Sequence, residues 1–212
     1  MFTGMEKTQR KEREFNLRRV EILRQAEKVF ATKGFYKATV TEIAEASGFA
    51  VGTLYQFFEG KEQLFDAMVS EKLEIFYSNI NAAVAAKEST AEKISALVEA
   101  HFQFVENNFD YCAIFICRES AALAEGHTDL RAKMIAGHLE HIGFIESFLS
   151  EGVERGILKG NDPRMMAFAL AGMVNSFTFS WMCAPGDGRL TDKVGLLVDI
   201  FLQGVKTGAQ QS

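Results

Sequence analysis

Proline is almost missing from this 212-residue chain, with only Pro163 and Pro185, and β-branched runs of the kind that build strands are nearly absent too. Neither a sheet nor a proline-broken coil is expected; 17 glycines, spread singly, leave room for long helices between them. Cysteine is equally scarce. Cys112, Cys117 and Cys183 form no CxxC pair and no metal-ligand spacing, which argues against a disulfide framework and a structural zinc, and burial is the expected fate of each. No charged-then-apolar leader is read at the start and no charge-free apolar run of about 18 residues is expected, so the reading is a soluble, cytoplasmic chain with no membrane partner. Catalytic signatures are lacking as well. Without a Ser-His-Asp set, a nucleotide-binding glycine loop, a metal signature or a convergent carboxylate pair, neither an enzyme nor a bound cofactor is expected.

What is present points to an all-α fold with a real core, since 48% of residues are hydrophobic. The net charge of −5 argues at first against a polyanion, but it is unevenly placed. Residues 1–61 carry 11 Lys plus Arg against 8 Asp plus Glu, and the remainder carries 12 against 20. Because charges farther apart than a Debye length of about 8 Å are largely screened, the local balance governs contact with DNA.

The stretch Thr39 to Lys61, TVTEIAEASGFAVGTLYQFFEGK, reads as two short helices at an angle. Thr39 with Glu42 makes a capping box, Ile43 and Ala44 face inward, and Gly48 supplies the left-handed residue of the turn. A second helix is expected from Val51 to Phe58, with Val51, Leu54 and Phe58 inward at spacings of three and four. Gly52, Thr53, Tyr55 and Gln56 are left facing out. A helix-turn-helix puts such residues into a major groove: glycine permits close approach, hydroxyls hold phosphates and an amide reads adenine. Helix N-termini at Val40 and after Gly60, with Lys61 beside the second, add positive ends for phosphate.

From about Arg19 to Met68 the chain resembles the DNA-binding half of the TetR family of bacterial transcriptional regulators, through Ala26, Phe30, Gly34, Thr39, Thr41, Ile43, Ala44, Gly48, the run Val51 to Tyr55, Phe58, Lys61 and Leu64. That resemblance implies phosphate contacts from Thr39, Thr41, Thr53, Tyr55 and Lys61, with Val51, Gly52 and Gln56 near bases. Phe57 departs from it, standing where the family often has a histidine, and is therefore left out of the contacts. The expected plan is an N-terminal three-helix head over residues 1–60 and a helical ligand-binding and dimerisation domain over 61–212.

Before the head, Lys7, Arg10, Lys11, Arg13, Arg18 and Arg19 interleave with acids, as either a DNA-following basic arm or a solvated helix start. The head's first helix is read from Val20 to Gly34. After it, helices are expected from Lys61 to about Ala86, from Ser89 (a second capping box with Glu92) to near Asn107-Asn108, from Phe109 to a break at Gly126, and from Asp129 or Leu130 to Arg155. The last two run from Asp162-Pro163 to about Cys183 and from Thr191 or Asp192 to Val205.

Nineteen phenylalanines suggest an aromatic tunnel for an apolar or aromatic effector, although most Phe in a bundle are ordinary core. Its expected lining is Phe102, Phe104, Phe115, Phe144, Phe148, Phe177 and Trp181. His101, Tyr111, Arg118, His141 and Asn175, together with His138, would orient the molecule. His138 and His141 share a helix face, but without a third ligand they are no metal site. The helix to Cys183 is apolar nearly all round and needs cover on nearly all sides. A second copy of the chain is the natural cover, through Met166, Leu170, Met173, Val194, Leu197 and Phe201, which gives a homodimer; the resemblance implies the same, as a four-helix bundle. The reading as a whole is a ligand-responsive repressor released from a palindromic operator of double-stranded DNA.

Overall fold

The computed structural model describes residues 2–115, 128–184, 186 and 188–205, and among these the architecture is helical. In chain order the helices are α1 Phe2–Lys33, α2 Val40–Ser47, α3 Val51–Leu54, α4 Lys61–Ala85, α5 Thr90–Asn107, α6 Phe109–Ala113, α7 Thr128–Glu154, α8 Pro163–Cys183 and α9 Val194–Val205. A 3-10 turn at Leu190–Lys193 leads into α9, so the α-helix proper begins later than the expected Thr191. The helix end expected at Gly126 lies outside the described residues, as do Cys117 and Arg118.

Local signals set most boundaries. At α2 the Thr39 hydroxyl accepts from the Glu42 amide at 3.2 Å while the Glu42 carboxylate accepts from the Thr39 amide at 3.1 Å. Ser89 and Glu92 repeat that exchange at α5, and the Asp162 carboxylate caps α8 through the Arg164 amide at 2.9 Å, with Pro163 in the first turn. Gly34 and Gly48, at φ 78° and 73°, end α1 and α2 in a conformation that costs other residues roughly 1–2 kcal/mol.

The chain divides into two compact units, Met1–Lys72 with Asp110–Leu130, and Leu73–Phe109 with Arg131–Ser212. In the first, Phe30 meets Phe65 edge to face at 5.1 Å, and Phe35 meets Phe65 at 5.0 Å, around buried Ile22, Ala26, Ile43, Leu54 and Leu64. Two ion pairs tie α4 to α1: Lys72 to Glu27 at 3.0 Å, and Arg19 to Glu71. In the second unit, α5 is central. Phe102 and Ile94 are fully enclosed, and Glu106 near the end of α5 accepts from the Thr191 amide at 3.0 Å and from Arg189 at 3.0 Å, fastening the turn before α9.

Two expectations are corrected. The head's first helix begins at Phe2, not Val20, so the charged segment is a continuous extension of α1. A charge-free apolar run does exist: α8, 21 residues long, is apolar enough by length and composition to cross a membrane, with one third of its most apolar stretch buried. Asn175, Ser176, Thr178 and Ser180 in its second half break that apolarity.

Candidate nucleic-acid interface and ligand cavity

The outward set on α2 and α3 follows from which positions the core claims. Leu54 and Phe58 are buried, Val51 is half-buried, and Gly52, Tyr55 and Gln56 are exposed; Thr53 is half-buried, and Thr39 and Thr41 are exposed on the neighbouring helix. A side chain at Gly52 would meet nothing within 4 Å, so the backbone there faces open space. α3 is shorter than expected. After Leu54 the bonding tightens, with Gln56 N to Thr53 O at 3.1 Å and Phe57 N to Leu54 O at 3.0 Å, so Tyr55 and Gln56 sit on a turn that continues the helix. Lys61 is half-engaged. Its ammonium donates to Phe35 O at 2.9 Å and lies 4.5 Å from the centre of the Phe35 ring, which fixes its place beside the start of α4.

The expected ligand residues do not form one pocket. His101, His141 and Asn175 meet in a cavity of about 50 Å³ in the second unit, with His138, Phe76, Leu97, Ile145, Ala171 and Val174. Phe76 packs edge to face on His101 at 5.0 Å, and Tyr77 lies 5.3 Å from His141. Burial holds His101 down to about 3, helped by the neighbouring His141. The same cause, with His138 adding, lowers His141 to about 4. Both rings are therefore neutral at pH 7, and the Nδ1 of His141 is buried with no hydrogen-bond partner.

Phe177 and Trp181 instead line an open groove of about 540 Å³ beside Gly186, Gly188 and Leu196, where the Trp181 indole donates to Gly188 O at 3.2 Å. Phe144 lines a third recess with Phe148, Lys93 and Glu151. Phe102 and Phe104 are core, and Tyr111 and Phe115 pair at 5.1 Å in the first unit, where the Tyr111 hydroxyl donates to Val69 O at 3.5 Å. Sequence reasoning missed Phe76 as a cavity residue, and Tyr77 as the ring that packs on His141. The signal in the sequence is the apolar period of α4, through Phe65, Val69, Leu73, Phe76 and Ile80, which turns Phe76 inward without showing what it would face.

Most of the expected dimer residues lie inside the protomer. Met166, Leu170, Leu197 and Phe201 are buried within the protomer, and Met173 and Val194 are half-buried. The apolar residues left outside are Met165, Phe168 and Phe179 on α8 and Leu196 and Ile200 on α9, with Ala169, Gly172 and Gly204 also exposed. Where a helix is apolar on both faces, as α8 is over Met165 to Val174, period does not tell the inner face from the outer.

A helix-turn-helix head with a clear polar reading face, joined in one chain to a helical unit holding a small, partly open cavity, defines a DNA-binding regulator. Residues 22–68 match the family model for bacterial regulatory proteins of the tetR family, and residues 87–205 match the tetracyclin repressor-like C-terminal domain. The chain belongs to the TetR family of transcriptional regulators. The fatty acid metabolism regulator protein of Bacillus subtilis is 23% identical over 187 residues, covering 88% of this chain and 94% of that protein. Among solved structures, the fatty acid degradation regulator FadR from Bacillus halodurans aligns at TM-score 0.76 and 25% identity, over 88% of this chain and 95% of that one. AibR, solved with isovaleryl coenzyme A and operator DNA, aligns at TM-score 0.68 and 26% identity, over 88% and 97%.

Proposed function

We propose that this regulator is a homodimeric repressor whose grip on a palindromic operator is released by the coenzyme A thioester of an apolar acyl group. In this reading Thr39, Thr41, Thr53, Tyr55 and Lys61 hold phosphates, Val51, Gly52 and Gln56 lie against bases, and two heads meet successive major-groove faces about 34–36 Å apart. The supporting observation is the cavity of the second unit: apolar walls with two neutral imidazoles and an unpartnered His141 Nδ1. A neutral imidazole both donates and accepts, so it suits an uncharged carbonyl such as that of a thioester. The relatives named for fatty acid control, and AibR with its acyl thioester, point to the same class.

The cavity's size supplies the coupling. Small-molecule sites run to roughly 300–1,000 Å³, so a space of about 50 Å³ must open for an acyl chain to enter. Opening spreads α4, α5, α7 and α8, and α4 is a continuous helix whose first residue is Lys61 of the reading head. The effector shifts the population by as much as it prefers the opened state. Dimerisation uses the exposed stripe of Met165, Phe168, Phe179, Leu196 and Ile200; a stable interface of on the order of 1,600 Å² would cover it.

The test is fluorescence anisotropy of a duplex that the full-length chain selects from a random pool, titrated with stearoyl-CoA, isovaleryl-CoA, stearate and free coenzyme A. Release by an acyl-CoA but not by free coenzyme A is expected. If no acyl-CoA displaces the duplex or raises the melting temperature, the effector class is wrong; if no duplex is selected, the DNA reading fails.

A further inference from the structure

The family match starts at residue 22, yet α1 begins twenty residues earlier, and its extension is not an appendage without a seat. The Phe15 ring lies 4.2 Å from the ring of Phe57, in the turn that follows the reading helix α3. One turn further, Arg19 pairs with Glu71 and stands over the Phe58 ring at 5.5 Å. The extension is thus fixed against the reading element at two successive points.

Residues three and four apart share a helix face. Lys11 and Arg18 therefore project on the same side as Phe15, the side that meets the end of the reading element. Both are exposed, and neither has a carboxylate partner among the described residues, whereas Arg10 is taken by Glu14 at 3.0 Å and Arg19 by Glu71. Residues 8–19 hold five basic against two acidic side chains, in a chain whose total charge is −5. Lys11 and Arg18 are separated by about 10 Å along the axis at 1.5 Å per residue, close to the rise of three base pairs at about 3.4 Å each.

We propose that the first turns of α1 are a second DNA-binding element, in which Lys11 and Arg18 hold backbone phosphates beside the groove read by α3, with Phe15 on Phe57 setting their position. This rests on the DNA-binding reading above and extends its footprint outward. On that face Lys11 and Arg18 meet phosphates and not base edges, so the element adds affinity and salt dependence without adding sequence preference.

The experiment compares the full-length chain with the double variant Lys11→Ala/Arg18→Ala, and separately with Phe15→Ala, on two probes. One is a 40-base-pair duplex carrying the sequence selected by the wild-type chain; the other is a 40-base-pair duplex of unrelated sequence. Far-ultraviolet circular dichroism and the melting temperature are followed alongside. The slope of log K against log salt should become shallower by roughly 2 for each bound protomer, at about 0.9 per lost phosphate contact. The preference for selected over unrelated duplex should stay within twofold, and Phe15→Ala should reproduce part of the change with Lys11 and Arg18 intact. An unchanged slope in a folded double variant overturns this element and leaves the major-groove reading standing. Loss of preference at unchanged slope overturns it too, by giving the residues a base-reading role. If the wild-type chain binds neither probe, both readings fall.

Discussion

The two units of this regulator solve opposite surface problems. In the first, the reading helix and the turn after it show the core Leu54 and Phe58 and show solvent Gly52, Tyr55 and Gln56, so their inner and outer faces differ in chemistry. In the second, α8 is apolar on both: Met166 and Leu170 are buried while Met165, Phe168 and Phe179 are exposed. A face that differs from its reverse declares its partner, water and phosphate on one side and core on the other. A helix that is alike all round declares only that something must cover it.

The largest effects should separate the two cores. Phe30→Ala and Phe102→Ala each remove a ring with almost no exposure, at an expected cost of about 3–5 kcal/mol. Urea unfolding followed by circular dichroism should lose a corresponding part of the midpoint in each. If the units unfold independently, each substitution moves its own transition alone, and the contrast between them becomes a thermodynamic one.

Next comes the outer face of the second unit. Met165→Asp with Ile200→Asp puts charge where the protomer leaves apolar surface open, and should shift sedimentation from dimer to monomer with helicity kept, weakening self-association at least a hundredfold. Leu170→Asp, one turn away but enclosed, should instead abolish folding. Equal behaviour of the two would erase the distinction drawn between the faces.

Within the head, two glycines play different parts. Gly48→Ala forces a left-handed residue at φ 73° and should lower stability by about 1–2 kcal/mol with little else changed. Gly52→Ala has open space around its new methyl and should melt no lower than the parent, yet lose duplex affinity if, as proposed, a base edge or phosphate approaches there.

Acid should also separate the two units, since the second holds the neutral histidines. His101 and His141 titrate at about 3 and about 4, below an unfolded value near 6.5, so over that interval the unfolded chain binds more protons than the native one. Stability is accordingly full above about pH 6.5 and declines as pH falls towards 4. His101→Gln should flatten that slope in denaturant titrations between pH 4 and 6.5, leaving the first unit's pH profile unaltered.

How much was legible in the sequence follows the same divide. Thr39 with Glu42, Ser89 with Glu92, Gly48 and Asp162-Pro163 each act over four residues, so their helix ends were readable from neighbours alone. The meeting of Phe76, His101, His141 and Asn175 was not, because it joins four helices far apart in the chain; histidine spacing gave one face of α7 and nothing of what packs on it. α3 was overestimated since the i to i+3 bonds after Leu54 keep the helical period of burial at Phe58 while ending the helix itself.

The most direct test of the central claim, that the exposed face of α3 and its following turn reads base pairs, is duplex selection from a random pool by the wild-type chain and by Gln56→Ala, with affinities measured at fixed salt. The account predicts one symmetry-related pair of positions losing its base preference in the variant, by about 1–3 kcal/mol per good contact, while other positions keep theirs. Identical selected sequences, or a uniform loss at every position, would contradict it.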